Sequence, residues 1–255
     1  MNKKIRKEMS NYYWYHSVDL GNNIVTDGDY DMSEYLDAYQ FTTDMHGMKV
    51  LDVGRASGYF SFEFEKRGAD VTATDLRSYL NWDFVGGDIE KQKREKAIED
   101  PEQFSKQTIW GAFEFAKKIK ESKVKSKYLN AYDLNPSEFD GEKFDLVFCG
   151  SITSHLRDPI LVLEKMHSVV SPGGKCIIAA PIIKVLMEEK LPTMSLVGTV
   201  DSDRRSWWVM NPFCVEEMLK CANFSKIECA GEFNLRNKRV DLSVPHMIFH
   251  AESNK

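Results

Sequence analysis

The feature that most constrains the fold is a series of short, β-branched and apolar runs separated by helical stretches. Several runs are apolar on both faces, as strands inside a parallel sheet are. The runs cover residues 49–54, 70–75, 127–133, 144–150 and 175–181, and two later ones, 225–233 and 245–252, could complete a sheet. Because strands alternate with helices, the sequence predicts an α/β fold with a mostly parallel sheet.

Two of the intervening helices have clear start signals. Asp158 is followed by Pro159, and Asn211 by Pro212. Asp and Asn cap the N-terminus of a helix with a side-chain oxygen, and Pro fits its first position. The sequence therefore predicts helices that begin at the two prolines.

Two stretches do not fit the plain alternation. Residues 1–46 precede the first strand and are dense in aromatic side chains, and we expect them to form an N-terminal lid over a domain that spans residues 47–255. The connection of about residues 77–126 is twice as long as one crossover helix needs. It predicts a helical insertion, with a charged part followed by an amphipathic helix.

Composition and charge exclude several classes of protein. With 42% hydrophobic and 29% charged positions in 255 residues, the chain can bury a large core. Its formal charge of −5 disfavours binding to nucleic acid. The five cysteines form no C-x-x-C pair, which favours reduced thiols over a disulfide frame or a metal site. No run is long enough to span a membrane or to act as a signal peptide, so we expect a cytoplasmic protein without a membrane partner.

The chemistry is concentrated after the first two predicted strands. The first ends in Asp52 and continues into a glycine turn with Gly54, Ala56 and Gly58 before a helix. Such a turn lets a ligand approach the backbone at a helix N-terminus. Gly54 and Gly58 do not make the G-x-G-x-x-G of dinucleotide-binding proteins. Asp75, about twenty residues past the turn, is placed where a carboxylate can accept hydrogen bonds from both hydroxyls of a ribose, although it could also simply cap a helix.

The spacing Asp-x-Gly-x-x-x-Gly resembles motif I of the class I S-adenosylmethionine-dependent methyltransferases, with Ala56 in place of the middle glycine. The resemblance implies a Rossmann-like, doubly wound, seven-stranded, mostly parallel sheet. It also implies S-adenosyl-L-methionine as cofactor, with S-adenosyl-L-homocysteine as product. The residues that it assigns to the cofactor are Asp52, Gly54, Ala56, Gly58, Asp75, Leu76, the adenine segment Asn130, Ala131 and Tyr132, and Cys149 and Gly150 below the methionine part.

Within this class, the segments WYHSVDLGNNIVTDG, SHLRDP and NPFCVEEMLKCANF resemble the group around tRNA 5-carboxymethoxyuridine (wobble uridine) methyltransferase. That group has a Tyr before the His of the segment that corresponds to SHLRDP, where it helps to hold the extra carboxylate of carboxy-S-adenosylmethionine. This chain has Ser154 there. We therefore expect ordinary S-adenosylmethionine as donor and disfavour tRNA as acceptor.

Methyl transfer from a sulfonium requires an aligned acceptor and, for a hydroxyl, a base. His16 and His155 are the candidate bases, although His155 could instead hydrogen-bond the backbone of its turn. Aromatic walls suit a planar or apolar acceptor, and arginine suits an acidic one. The candidate pocket residues are Trp14, Tyr15, Trp110, Arg157, Trp207 and Trp208, each with core packing or solvation as the alternative.

The sequence thus predicts an S-adenosylmethionine-dependent methyltransferase that acts on oxygen or nitrogen of a small-molecule acceptor. One alternative is a tRNA wobble-uridine methyltransferase that uses S-adenosylmethionine or carboxy-S-adenosylmethionine. A second is a cofactor-binding protein without catalysis, which the altered positions Ala56 and Asn130 would allow. The identity of the acceptor and the oligomeric state stay open.

Overall fold

The computed structural model describes residues 2–83, 86–188, 190–198 and 206–254. Seven of the strands in these ranges form one sheet, and two short ones form a separate hairpin. The sheet strands are β1 (Lys49–Val53), β2 (Asp70–Asp75), β3 (Lys125–Tyr128), β4 (Phe144–Gly150), β5 (Val170–Pro181), β8 (Phe224–Arg236) and β9 (Ser243–Ser253). The hairpin consists of β6 (Met194–Leu196) and β7 (Trp208–Met210).

The sheet has the strand order β3-β2-β1-β4-β5-β9-β8. Strands β1 to β5 run parallel, whereas β9 is antiparallel to β5 and β8 antiparallel to β9. This arrangement confirms the predicted seven-stranded, mostly parallel sheet. The chain order reverses between β1 and β4, so a crevice opens at the carboxyl ends of these two strands, where α/β proteins bind ligands.

Helices cover both faces of the sheet. The α-helices of the described ranges are α1 (Asn2–Met9), α2 (Tyr59–Lys66), α3 (Asp88–Glu99), α4 (Pro101–Ser105), α5 (Gly111–Lys120), α6 (Pro159–Val169) and α7 (Pro212–Cys221), with a π-helix over Lys106–Trp110. Short 3₁₀ helices cover Met32–Tyr39, Tyr79–Asn81, Ala131–Asp133, Pro136–Phe139, Thr153–His155 and Lys184–Met187. The predicted starts of α6 and α7 are confirmed, since Asp158 and Asn211 cap them through their side chains.

The third strand differs from its prediction. It covers Lys125–Tyr128 rather than residues 127–133, because the chain leaves the sheet at Leu129. The side chain of Asn130 then accepts a hydrogen bond from the Tyr132 backbone N–H and opens a 3₁₀ turn. Side-chain caps of this kind compete with strand pairing. The segment assigned to adenine is therefore a turn beyond the strand end.

The N-terminal segment is partly core. Tyr39 and Phe41 pack against Phe60, Phe64 and Phe148, which lie on α2 and β4. Tyr39 is only 1% exposed, so this half of the predicted lid segment is built into one face of the sheet. The half nearer the N-terminus also contributes core residues, and its Tyr13, Tyr15 and His16 reach the crevice.

Candidate functional site

One cavity lies at the carboxyl ends of β1 and β4, where the strand order reverses. It brings together residues from the N-terminal segment, the glycine turn, the end of β2, the turn after β3 and the segment after β4. The predicted site residues that line it are Tyr15, His16, Gly54, Ala56, Asp75, Leu76, Asn130, Ala131, Tyr132, Gly150 and His155. Further lining residues that the sequence did not single out include Tyr13, Ser57, Trp82, Asp83 and Ser151.

The glycine turn fits closely against its neighbours. Gly54 has a φ of +80°, and a Cβ built on it would lie 2.8 Å from Cγ2 of Ile152. Both its N–H and that of Arg55 donate to the carbonyl of Thr74 on β2. Ala56 has a φ of +47°, a left-handed conformation in which glycine costs less than alanine. The turn therefore keeps its shape with alanine in the middle position.

Asp75 is fixed at the wall of the cavity by backbone groups. Its carboxylate accepts from the N–H of Ala56 at 3.0 Å and from its neighbour Leu76 at 2.8 Å. Burial raises the pKa of Asp75, and the guanidinium of Arg55 together with these two N–H groups opposes the rise. A carboxylate held in this way retains oxygen lone pairs that can accept from further donors.

Arg55 lies buried behind the turn and was missed by the sequence analysis. Its side chain is 0% exposed, its guanidinium carbon is 4.4 Å from the centre of the Phe113 ring, and Nη2 is 3.7 Å from Oε1 of Glu114. None of its three side-chain nitrogens has a hydrogen-bond partner in the described part of the chain. Its charge lowers the pKa of both Asp75 and Asp52. The available signal was an arginine directly after the first motif glycine.

Three predicted cofactor residues do not line the cavity. Asp52 is buried below the turn, where Ser61 donates a hydrogen bond to it and burial raises its pKa to about 7. Gly58 opens α2 with a φ of +88° and faces Phe113, so its role is close packing. The thiol of Cys149 is buried in the apolar core, in the same cluster as Val147 and Ile178. These three positions support the turn and the strand ends without contacting the cavity.

The far side of the cavity is closed by a hydrogen-bonded cluster. The hydroxyl of Tyr132 donates to Oδ2 of Asp83 at 2.5 Å and accepts from the N–H of Asp158. Asp83 also accepts from the N–H of Arg157. Burial together with Asp83 raises the pKa of Tyr132 to about 12, so its hydroxyl stays protonated near neutral pH.

The two predicted bases differ in environment. His16 is buried, its Nδ1 has no hydrogen-bond partner among the described residues, and burial lowers its pKa to about 3. His155 lies on the 3₁₀ turn after β4, with Nδ1 3.5 Å from Oγ of Ser206. His16 is therefore neutral at physiological pH and is a very weak base.

The other predicted pocket residues lie outside the described lining of the cavity. Trp14 donates from Nε1 to the Met9 carbonyl and packs edge-on against Phe115 in the core. The guanidinium carbon of Arg77 lies over the Trp110 ring, 4.6 Å from the ring centre. Their rings are thus used for core packing.

Trp207, Trp208 and Arg157 form a layer outside the cavity. The guanidinium of Arg157 lies 4.8 Å from the Trp207 ring centre. Nε1 of Trp207 donates to the Asp83 carbonyl, and Nε1 of Trp208 donates to the Arg157 carbonyl. These side chains pack around the Asp83 segment and lie outside the described lining, and a contact of any of them with the acceptor stays a prediction.

Two hydrogen bonds hold the N-terminal segment against the glycine turn. Oγ of Ser57 accepts from the N–H of Tyr15 at 2.9 Å and from that of His16 at 3.3 Å. Residue 16 also pairs with residue 30 in an isolated bridge. Because Ser57 lies inside the predicted motif, its hydroxyl joins the segment to the wall of the cavity.

Comparison with known proteins identifies the class. Residues 27–228 match the family model described as a methyltransferase domain, and the chain belongs to this family. Membership confirms the predicted family, that of the methyltransferases. No helix in the described ranges is long and apolar enough to cross a membrane.

Two curated relatives are similar over about half of the chain. A tRNA U34 carboxymethyltransferase of Nautilia profundicola is 25% identical over 142 residues, which cover 55% of this chain and 37% of the relative. A ubiquinone biosynthesis O-methyltransferase of Idiomarina loihiensis is 29% identical over 134 residues, covering 52% and 42%. The chain thus spans about two fifths of the length of these relatives.

Solved structures with low sequence identity share the fold. Phosphoethanolamine N-methyltransferase 2 of Haemonchus contortus, in complex with S-adenosyl-L-methionine, has a TM-score of 0.56 at 16% identity, with 98% of this chain and 57% of that chain covered. The N-terminal domain of EvdMO1, in the presence of SAH and D-fucose, has a TM-score of 0.54 at 13% identity, with 99% and 96% covered. These likenesses confirm the Rossmann-like fold.

Proposed function

We propose that this chain transfers the methyl group of S-adenosylmethionine to an oxygen or nitrogen of a small acceptor that carries no negative charge. The observation that carries the proposal is the composition of the single cavity at the ends of β1 and β4. One side is a glycine turn with the carboxylate of Asp75, and the other side carries aromatic rings and hydrogen-bonded polar groups, among them Asp83. A cytoplasmic location is part of the proposal, in agreement with five cysteines that form no disulfide.

The donor fits the side built on β1 and β2. Asp75 offers carboxylate oxygens for the ribose hydroxyls, and Gly54 leaves room for close approach of the methionine part. Residues Asn130–Tyr132 would face the adenine. When bound, S-adenosylmethionine supplies a sulfonium-activated methyl group. The chain's own task is to align the acceptor, exclude water and take up a proton.

The charges of the cavity indicate which acceptors fit. The described lining includes two carboxylates, Asp75 and Asp83, and no lysine or arginine. A phosphate or carboxylate on the acceptor would be desolvated there without a cationic partner, which is costly. For the same reason, a tRNA backbone and the extra carboxylate of carboxy-S-adenosylmethionine are disfavoured. The relative from Nautilia profundicola keeps tRNA methylation as the second candidate function.

A labelled methyl group tests the proposal directly. The protein is incubated with S-adenosylmethionine carrying a radioactive methyl group and, in separate reactions, with catechol, 3,4-dihydroxybenzoate, D-glucose, ethanolamine, phosphoethanolamine and bulk tRNA. Catechol and 3,4-dihydroxybenzoate differ by one carboxylate, as ethanolamine and phosphoethanolamine differ by one phosphate. We expect label in an uncharged or cationic member of the panel, and less in its anionic partner.

The other outcomes separate the alternatives. Preferential labelling of tRNA, or of the anionic member of either pair, would contradict the proposed acceptor class. Tight binding of S-adenosylhomocysteine without transfer to any acceptor would favour the non-catalytic alternative. Calorimetry on the same preparation supplies the binding measurement.

A further inference from the structure

Ser151 is the first residue after β4 and lines the cavity beside the glycine turn. Its φ is +82°, in the left-handed region that favours glycine. A non-glycine residue held there is strained, and such residues are concentrated at functional sites. The side chain that this position retains is a hydroxyl that reaches a histidine 95 residues further along the chain.

The hydrogen bonds fix the direction of that contact. Oγ of Ser151 is 2.9 Å from Nε2 of His246, and Nδ1 of His246 is 2.9 Å from the carbonyl oxygen of Val244. A carbonyl can only accept, so Nδ1 carries the proton of the neutral ring. Nε2 is then an acceptor, and the hydroxyl of Ser151 donates to it. The lone pairs of Ser151 remain to accept from a group inside the cavity.

The surroundings keep His246 neutral. The residue is 4% exposed, and its ring stacks on Phe233 at a centroid distance of 5.2 Å. Burial is the main cause that lowers its pKa to about 4; the hydrogen bond to the Val244 carbonyl opposes the shift, and nearby His155 adds a smaller contribution to it. Glu232 of β8 and Lys184 after β5 are the charged groups that share a shallow groove with it. His246 is therefore neutral at physiological pH and, like His16, a weak base. What distinguishes it is the hydrogen bond that holds its Nε2 lone pair against the hydroxyl of Ser151.

We propose that Ser151 is a catalytic residue that takes the proton of the acceptor's O–H or N–H and passes its own proton to His246. The inference rests on the proposed methyl transfer. The bond from sulfur to the methyl carbon breaks with its electron pair left on sulfur, and a bond from the acceptor atom to that carbon forms. The acceptor proton moves to Oγ of Ser151 while the former hydroxyl proton moves to Nε2. The positive charge of the donor thereby ends on His246, which later releases a proton to solvent.

His246 acts through Ser151 and is a positioning residue in this scheme. His16, one of the two bases that the sequence suggests, shows no equivalent arrangement among the described residues. Nδ1 of His16 has no hydrogen-bond partner in the described chain, so no group orients its ring for proton transfer. The described contact of His155 to Ser206 is 3.5 Å, at the outer limit of a hydrogen bond.

The tautomer of His246 tests the arrangement without any turnover. Long-range ¹H–¹⁵N spectra of the wild-type protein at pH 7.5, with S-adenosylhomocysteine present, should show a protonated Nδ1 and an unprotonated, hydrogen-bonded Nε2. The Ser151→Gly variant suits the backbone conformation and lacks the hydroxyl. In this variant, the ¹⁵N signal of Nε2 of His246 should shift towards the value of a ring nitrogen that accepts no hydrogen bond. A proton on Nε2 in the wild type would overturn the proposal, because Ser151 could then not donate to it.

Turnover supplies the second test, with the best acceptor of the panel described above. Ser151→Gly, Ser151→Ala and His246→Gln should each lower the rate by about 10²- to 10⁴-fold, while the affinity for S-adenosylhomocysteine changes less than about threefold. The matched control is His250→Gln on the same strand, whose Nε2 contacts the Tyr39 carbonyl away from the cavity. Its rate should stay within about twofold of the wild type.

The two failures can be told apart. A wild-type protein that methylates nothing in the panel contradicts the proposed function, and the tautomer experiment still tests the hydrogen-bond direction. A wild-type protein that turns over, with Ser151→Gly equally active, contradicts the relay alone. Loss of rate in Ser151→Ala but not in Ser151→Gly would also overturn it, since only backbone strain distinguishes these variants.

Discussion

The two ends of the cavity are built in different ways. At the donor end, Asp75 and Ala56 are joined by a hydrogen bond across 19 residues of chain, within one strand–turn–helix–strand unit. At the acceptor end, Ser151 and His246 are joined across 95 residues, and Tyr15 reaches Ser57 across 42. The donor end is therefore a local structure, whereas the acceptor end forms only when distant segments meet.

The ends also differ in charge. Two carboxylates, the buried Asp52 and the partly buried Asp75, lie at or below the donor turn, and the buried guanidinium of Arg55 favours their ionised forms. The acceptor end carries His16 and His246, whose pKa values burial lowers to about 3 and about 4. We infer that the donor end holds a ligand through the carboxylate of Asp75, whereas the two histidines of the acceptor end are neutral at physiological pH.

The largest effect on donor binding should come from Asp75→Ala. Removing the carboxylate leaves two ribose hydroxyls without a charged acceptor, which costs about 1.5–3 kcal/mol, or roughly 10- to 150-fold in affinity. Calorimetry with S-adenosylhomocysteine measures this directly. Asp70→Ala is the control, because Asp70 begins the same strand but is paired with Lys125 at the surface. Equal affinities of wild type and Asp75→Ala would mean that the ribose lies elsewhere.

The neutral acceptor end should make the fold sensitive to acid. His16 has a folded pKa of about 3, below the ordinary value of 6.5, so the unfolded chain binds more protons as the pH falls below 6.5. Its contribution to the free energy of unfolding is fully present above pH 6.5 and is lost as the pH falls towards 3, by about 1.4 kcal/mol per pH unit.

His16→Phe removes this titration. The slope of the free energy of unfolding against pH, between pH 6.5 and 4.5, should then decrease by the amount that corresponds to about one proton. Urea unfolding at several pH values measures the slope. His46→Phe is the control, since the side chain of His46 is exposed beside Asp44. An unchanged slope in His16→Phe would show that His16 is not buried in its neutral form.

A smaller effect should follow from Arg55→Met at the donor end. Without the guanidinium, the pKa of Asp75 should rise, so a larger fraction of Asp75 is protonated at mildly acidic pH. The affinity for S-adenosylhomocysteine should then fall about three- to tenfold between pH 8 and pH 5.5, more steeply than in the wild type. Arg77→Met is the control, because Arg77 stacks on the same Tyr128 ring but is half exposed and paired with Glu102. If the affinities of wild type and Arg55→Met fell equally with pH, Arg55 would not influence the pKa of Asp75.

The same division explains what the sequence could predict. Gly54, Ala56 and Asp75 were found because strand ends, turn residues and helix starts are local signals. For Trp14 and Trp110 the sequence left pocket lining and core packing open, since an aromatic residue has the same appearance in sequence in both places; in the structure both rings pack outside the described lining. His246 and Ser151 were not selected, because their contact depends on the pairing of β5 with β9, which no local pattern encodes. Arg55 was missed because burial of a charge is a tertiary property.

Strand β9 returns antiparallel beside β5 and brings His246 to the end of β4. The region shared with the methyltransferase family ends at residue 228, before this strand begins, and it starts at residue 27, after His16. The matched region therefore contains the glycine turn and Asp75, while His16 and His246 lie in the flanking portions. Substitutions in these flanks can change the two histidines while the glycine turn stays as it is.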